Sequence, residues 1–537
     1  MPNKLAKLRI KMKDFTLYLV VACITAASFT ATSVSAFEQP QYICWNKMYG
    51  CTTQPGCWDE DIPDSITQSS IDLFLDSFKG QRGNEKRRLC LGYQFNVLSG
   101  PLGPKLSALE NILALSEAND LPVVLTIDPF EFWEGAPQLW NYWNSSLPGF
   151  DVNNAYNVEW TGPSPDNATS ISWANWGAQF RKTPSPNLSS LAFRAAAAEA
   201  MRPFLERISA FHSSLVPQGK QWLLAAVKCS WEAWIGVNYF EYSNPNSFTN
   251  LDPAKDPQTG ISASVQIGYA AVCTSGIECP LAGAITQAQL DVALNNYLEF
   301  AAEVVASAGI PRHKILTHAG TFFGEVPTKS VLFNSPSPSV TMRAKAGWSL
   351  YANAYDPRTA SGLADALDLI EGAPWAATEW RYMGGLNSSL SPQQQWYESF
   401  NNTITLRNCR LIDVYNIENV PVEALAASQQ ILSESPTCLV DSAAALSSMR
   451  LNATHSRLLW IPGDGADSQR LSVSASADTS LSGNLLIPNI LSQLLSGLVE
   501  SFDLLLLPSS IPLYWTVLSS GCNNSQIAVA AVVAVVV

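Results

Sequence analysis

The chain has 537 residues, 47% of them hydrophobic and only 14% charged, with a formal net charge of −13. That composition excludes a disordered chain and points to a large buried core. The acidic balance repels phosphate backbones and argues against nucleic acid as a partner, while leaving neutral substrates unaffected.

Lys4, Lys7, Arg9, Lys11 and Lys13 precede a mostly apolar stretch over 15–29, and Val34-Ser35-Ala36 reads as a small-residue cleavage site. This pattern predicts a signal peptide over 1–36 and a secreted mature chain from Phe37. Cysteine usage agrees with that. Cys44, Cys51, Cys57 and Cys90 cluster early, Cys273 and Cys279 bracket a short loop, and Cys409 and Cys438 bracket the last predicted barrel unit. These eight can form four disulfides in an oxidising compartment, with the pairing among the first four left open. Cys229, inside a predicted strand, reads as a small buried thiol. No cysteine or histidine spacing has the pattern of a zinc site, so neither a metal nor an organic cofactor is expected. Seven Asn-x-Ser/Thr sequons, at Asn144, Asn167, Asn187, Asn387, Asn401, Asn452 and Asn523, fit a glycoprotein of the secretory pathway.

From 41 to about 434, short apolar runs alternate with helix-like stretches. Strands are predicted over 41–47, 88–96, 121–128, 221–231, 313–318, 343–351, 375–379 and 410–416. Helices are predicted over 66–78, 105–118, 191–213, 286–307, 361–370, 392–406 and 420–432. Eight strands with crossover helices predict an α/β protein, a closed (β/α)8 TIM barrel over 37–440. The unit after the fifth strand is the exception, because 327–338 lacks helical periodicity. Three loops, 129–186, 233–284 and 320–340, are long, and all leave the C-terminal ends of strands. The first is rich in aromatics, among them Phe130, Phe132, Trp133, Trp140, Tyr142, Trp143, Trp160 and Trp173. Flat rings suit the C–H faces of pyranose sugars; a self-packed lid would use the same rings for its own core. Both are expected, with two or three rings left for substrate. Beyond 440 the pattern changes. Residues 441–518 form an Ala/Ser-rich and then apolar region, and 519–537 end in eleven small apolar residues. A lipid-anchor (GPI) signal giving membrane attachment, a packing or disordered tail, and a membrane span remain open for this end.

Two predicted strands end in glutamate: 221–231 runs into Glu232, and 375–379 ends at Glu379. Carboxylates at the C-terminal ends of barrel strands converge on the face where such barrels do chemistry. Cleaving a glycosidic bond needs one carboxyl group to protonate the leaving oxygen and another to stabilise an oxocarbenium-like centre. Trp231 and Trp234 flank Glu232 with apolar walls that favour a protonated acid/base. Arg381 and Tyr351 are expected near Glu379, holding it ionised as a nucleophile requires. Other polar or aromatic residues at strand ends are candidate sugar contacts: Asp128, Trp133, Trp231, His318, Tyr351, Trp380 and Asn416. No glycine-rich phosphate loop follows a strand, and no serine nucleophile elbow is present.

The constellation resembles the large clan of retaining glycoside hydrolases with (β/α)8 barrels that includes β-galactosidases, cellulases and β-mannanases. The residues that carry the resemblance are Ser230-Trp231-Glu232 and Thr378-Glu379-Trp380. It implies Glu232 as acid/base, Glu379 as nucleophile and a carbohydrate substrate. The clan usually has Asn immediately before the acid/base, where this chain has Trp231. Two rivals stand beside this reading: an inverting glycosidase using the same carboxylates, and a non-catalytic cell-surface carbohydrate-binding protein.

Overall fold

The computed structural model describes residues 40–47, 58–170, 172–175, 179–238, 265–276, 279–280, 284–320, 336–360, 362–370, 373–386 and 389–434, together with the backbone of strands near both termini. Cys51, Cys57 and Cys438 lie outside the described residues, as does most of the expected signal peptide.

Eight strands follow in chain order: β1 (Gln41–Asn46), β2 (Arg87–Asn96), β3 (Val123–Asp128), β4 (Leu224–Lys228), β5 (Ile315–Leu316), β6 (Ala346–Leu350), β7 (Trp375–Trp380) and β8 (Cys409–Val414). They are all parallel in one sheet, each beside its neighbours in sequence, with β8 paired to β1. Bridges from Leu316 to Lys345 and from Ala319 to Trp348 join β5 to β6 and close the ring. The helices that alternate with these strands are α1 (Gln68–Ser77), α2 (Leu102–Ala118), α3 (Leu191–Leu215), α4 (Gln287–Ser307), α5 (Leu363–Leu369), α6 (Pro392–Ile404) and α7 (Val422–Ser433). Thr67, Ser190, Thr286 and Ser391 cap α1, α3, α4 and α6 by accepting a first-turn amide, as N-cap hydroxyls do. Between β5 and β6 the described residues hold only a short 3-10 turn, Ser337–Ser339. Most of 327–338 lies outside the described residues.

Alternation along each strand divides two environments. Outward residues such as Ile43, Leu91, Leu125, Val227, Trp348, Ala377 and Ile412 pack under the helices. Inward residues Tyr42, Cys44, Cys90, Val124, Ala226, Leu316, Ala376 and Leu411 fill the lower barrel. There Cys44 and Cys90, opposite one another on β1 and β2, are disulfide-bonded. Cys273 and Cys279 form a second bridge. Cys409 does not follow the expectation. It is a buried free thiol with Sγ 3.5 Å from Leu411 O, so its place as the first residue of β8 serves packing rather than cross-linking. Cys229 is likewise a buried free thiol, as expected.

Above the apolar plug lies a polar layer. Lys228 on β4 reaches across the interior to Asp413 on β8, 2.7 Å away, and donates to Thr378 O on β7 at 2.9 Å. Gly92 makes room for this pair, since a Cβ there would lie 2.6 Å from Asp413 Oδ1.

The aromatic loop after β3 builds its own core. Phe130, Trp133, Trp140 and Trp160 are buried with Phe193 of α3 and Tyr297 of α4. Glu159 ties this loop to the one after β4, its carboxylate accepting from Gly268 N at 2.9 Å and Ala271 N at 3.2 Å.

Beyond the barrel the chain is antiparallel. Ala444–Asn452, His455–Ile461 and Ser501–Leu505 form one sheet; Ser468–Ser474, Leu491–Ser496, Leu513–Gly521, Gln526–Val529 and Val533–Val535 form another. Composition alone did not predict these strands. Among the described residues, no helix is long and apolar enough to cross a membrane.

Candidate active site

The polar layer is capped, at the C-terminal ends of the strands, by side chains from β4 through β8. On β6 the alternation is regular: Trp348 and Leu350 face the helices, while Gly347, Ser349 and Tyr351 face inward. On β7 it is not. The register with β6 passes from Trp348 opposite Ala377 to Ser349 opposite Glu379, so Thr378 is an extra residue. A bulge of this kind reverses the facing of the residues after it and re-aims a side chain. Ala377 and Trp380 therefore both pack outward, and Glu379 turns into the mouth.

Glu232 reaches the same mouth by a different device. It lies four residues past β4 with φ 40°, a left-handed conformation that a non-glycine residue adopts only when its surroundings impose it. Those surroundings are visible. Ala233 N donates to His318 O at 3.0 Å, and Gly320 packs so close that a Cβ there would lie 3.0 Å from Glu232 O.

One donor atom from each of Glu232, Glu379 and His318 can be chosen so that all lie within 4.8 Å of one another. Glu379 is only 3% exposed. Tyr351 OH donates to its Oε1, and Trp231 Nε1–H donates to its Oε2. Ser349 Oγ donates to Glu232 Oε1 at 2.6 Å and lies 2.9 Å from His318 Nε2. His318 Nε2 is also 3.7 Å from Glu379 Oε2. Burial, and then the nearby Glu232, push Glu379 up to about 8, opposed by the Tyr351 and Trp231 hydrogen bonds and the Lys228 charge. Two carboxyl groups this close cannot both ionise freely, so the pair holds a proton between its two titration steps. His318, fully buried and near Lys228, is held well below the ordinary imidazole range and is neutral.

The remaining expected residues fall into two groups. Trp231 is at the centre, stacked on Phe132 at 5.9 Å and tilted against Tyr415 at 6.5 Å. Asp128 supports it from below: Oδ1 accepts from Trp231 N and Phe130 N, both at 3.1 Å, and Oδ2 accepts from Glu131 N at 2.9 Å. Asn416, 1% exposed, follows Tyr415 at the end of β8. Trp133 and Trp380 are not brought to the mouth. Trp133 is 1% exposed in the loop core and donates to Pro184 O at 2.9 Å. Trp380 stacks on Phe400 at 4.6 Å and donates to Thr403 Oγ1 at 3.1 Å, on the helix side of the bulge. Arg381 is half-buried and donates to Asn419 O at 2.7 Å instead of flanking Glu379, which leaves Lys228 as the cation identified near that carboxylate.

Sequence reasoning missed Ser349, Tyr415 and Lys228. Lys228 carried a signal, a charge within an otherwise apolar strand. Ser349 and Tyr415 carried one only through strand alternation, by sitting two residues from an inward neighbour.

Parallel strands closed into a (β/α)8 barrel, with glutamates from the ends of β4 and β7 meeting at its C-terminal mouth, define the class of this chain. No family model matches it, and no curated protein matches it. Among solved structures it is similar to a glycoside hydrolase family 5 enzyme from Prevotella bryantii B14, at 10% identity over 75% of this chain and 98% of that one, with a TM-score of 0.33. It is also similar to a broad specificity endoglucanase from an uncultured bacterium, at 8% identity over 73% and 94%, with a TM-score of 0.34. A fibronectin-type (FN3) domain of human collagen XX matches 20% of this chain over 98% of its own length, at 14% identity and a TM-score of 0.15. The barrel rests on its own strand pairing rather than on these likenesses.

Proposed function

We propose that this protein is a retaining glycoside hydrolase that cleaves β-glycosidic bonds of an oligo- or polysaccharide. The observation that carries the proposal is the approach of Glu232 and Glu379 to within 4.8 Å at the barrel mouth. Retaining enzymes place their carboxyl groups about 5–5.5 Å apart, whereas inverting enzymes need about 6.5–9.5 Å to admit a water between them. The short separation favours retention.

Glu379 is the nucleophile. Its carboxylate attacks the anomeric carbon while Glu232 gives its proton to the departing oxygen, and the glycosidic bond breaks. Water then attacks the glycosyl–Glu379 ester, Glu232 takes the water's proton, and the Glu379 carboxylate is restored. The hydrogen bonds support this division of labour. Both Glu379 oxygens accept from donors that favour the anion, Tyr351 and Trp231. Glu232 is the more exposed of the two, which suits exchange of protons with leaving group and water. Phe132 and Tyr415 are the rings best placed to meet the sugar beside Trp231. The N-terminal leader pattern, the sequons and the two disulfides support action outside the cell or in the secretory pathway.

The test is hydrolysis of a panel of aryl β-glycosides by wild type, Glu232→Ala and Glu379→Ala. Both variants are expected to lose activity, and azide is expected to restore turnover to Glu379→Ala with an inverted glycosyl azide product. A wild type inactive across the panel yet binding glycans tightly would replace this reading with a binding protein.

A further inference from the structure

We propose that Glu232, His318 and Glu379 also form a binding site for one divalent transition-metal ion of the zinc class, superimposed on the carboxylate pair. Each side chain offers one ligand atom, and the three atoms lie within 4.8 Å of one another. A tetrahedral ion with bonds near 2.1 Å wants its donors about 3.4 Å apart. His318 Nε2 and Glu379 Oε2 already stand at 3.7 Å. Glu232, the partly exposed member, has only to swing inward from Ser349 to complete three ligands.

The donor set selects the ion. One imidazole nitrogen with two carboxylate oxygens suits zinc and its neighbours, whereas calcium asks for six to eight oxygens and magnesium for a near-octahedral oxygen shell. A dication also offsets the repulsion between two acidic groups crowded into a shielded site. His318 Nδ1 meets no hydrogen-bond partner among the described residues. The usual outer support for a metal-bound imidazole is therefore lacking, and affinity is expected about 10–100-fold below that of a site which has it. The three residues come from the segments just past β4 and β5 and from β7, so no sequence spacing announces them.

The proposal stands apart from glycoside cleavage, and its test needs no substrate. Full-length protein stripped with chelator is titrated calorimetrically with zinc sulfate. One equivalent is expected to bind, with no heat from magnesium or calcium at equal concentration. His318→Gln and Glu232→Gln are each expected to weaken zinc at least tenfold, with circular dichroism reporting the fold. If the buried His318 variant fails to fold, the Glu232 variant decides. No zinc binding by folded wild type, or unchanged affinity in Glu232→Gln, overturns the site. In an active enzyme zinc raises KM and leaves kcat alone; a fall in kcat at constant KM would put the ion elsewhere and also overturn it. Zinc binding without glycosidase activity upholds the site and sinks only the catalytic reading; activity without zinc binding does the reverse.

Discussion

At Glu379 two opposing demands meet in one side chain. A nucleophile must be ionised, yet burial and Glu232 push this carboxyl up to about 8. Tyr351 and Trp231 oppose that by donating to its two oxygens. Removing one donor to a charged group costs about 1.5–3 kcal/mol, so Tyr351→Phe is expected to lower kcat/KM roughly 10- to 150-fold. It also carries a signature in pH. Activity requires the ionised carboxylate, so kcat/KM rises with pH as Glu379 loses its proton. Without the Tyr351 hydrogen bond that acid limb moves to higher pH, and a pH–rate profile reads the shift. A limb that stays in place would show that Tyr351 does not stabilise the charged form. The two glutamates could be read from sequence because each comes after an apolar run. Tyr351, 28 residues before Glu379, could be read as its neighbour too. Ser349 and the Trp231 bond to Glu379 could not, since they acquire meaning only when segments 117 and 148 residues apart in the chain stand side by side.

Between elements, two buried charges hold the scaffold of the site. Lys228 and Asp413, each about 1% exposed, bind β4 to β8 across the interior and fix Thr378 O at the β7 bulge. Removing one partner of a buried pair strands the other charge, so Lys228→Met is expected to destabilise the protein by about 3–5 kcal/mol, and the double variant with Asp413→Leu to recover most of it. Denaturant unfolding of the three chains measures this, and equal losses in the single and double variants would refute the pairing argument. Glu159 joins the loops after β3 and β4. Burial raises its carboxyl to about 8, against the backbone amides that favour its anion. A carboxyl raised on folding contributes stability that is complete below its ordinary value near 4.5 and is lost as pH rises towards about 8. Glu379 has the same sign, so the comparison is with Glu159→Gln: thermal midpoints of wild type should fall more steeply between pH 5 and 8 than those of the variant. Parallel slopes would remove Glu159 as a cause.

On the scale of the molecule, the described barrel is self-contained. Its strands close on one another, and the chain leaving α7 is anchored by Glu434, whose O accepts from Asn84 Nδ2 at 3.0 Å and whose Oε1 accepts from Tyr397 OH at 2.8 Å. A chain of residues 37–440 is therefore expected to fold cooperatively and keep the activity of the full protein, as calorimetry and kcat/KM on one aryl glycoside would show. Loss of the folding transition in that chain would make the C-terminal strands part of the barrel's stability.

The residues alone determined the barrel. Each strand is a short apolar run that must be buried on both faces, each helix carries a periodic apolar stripe, and eight such strands alternating with seven such helices admit few other arrangements. They determined also that Glu232 and Glu379 come late in the fourth and seventh strand units, although Glu232 lies four residues past β4 itself. Only the tertiary structure decided which way neighbouring side chains turn. One extra residue at Thr378 sends Glu379 into the mouth and Trp380 under α6, and a local alternation count cannot foresee a bulge fixed by pairing with another strand. The same holds for Trp133 and Cys409, whose chemistry suited a sugar and a disulfide. Packing against distant parts of the chain assigned both to the interior instead.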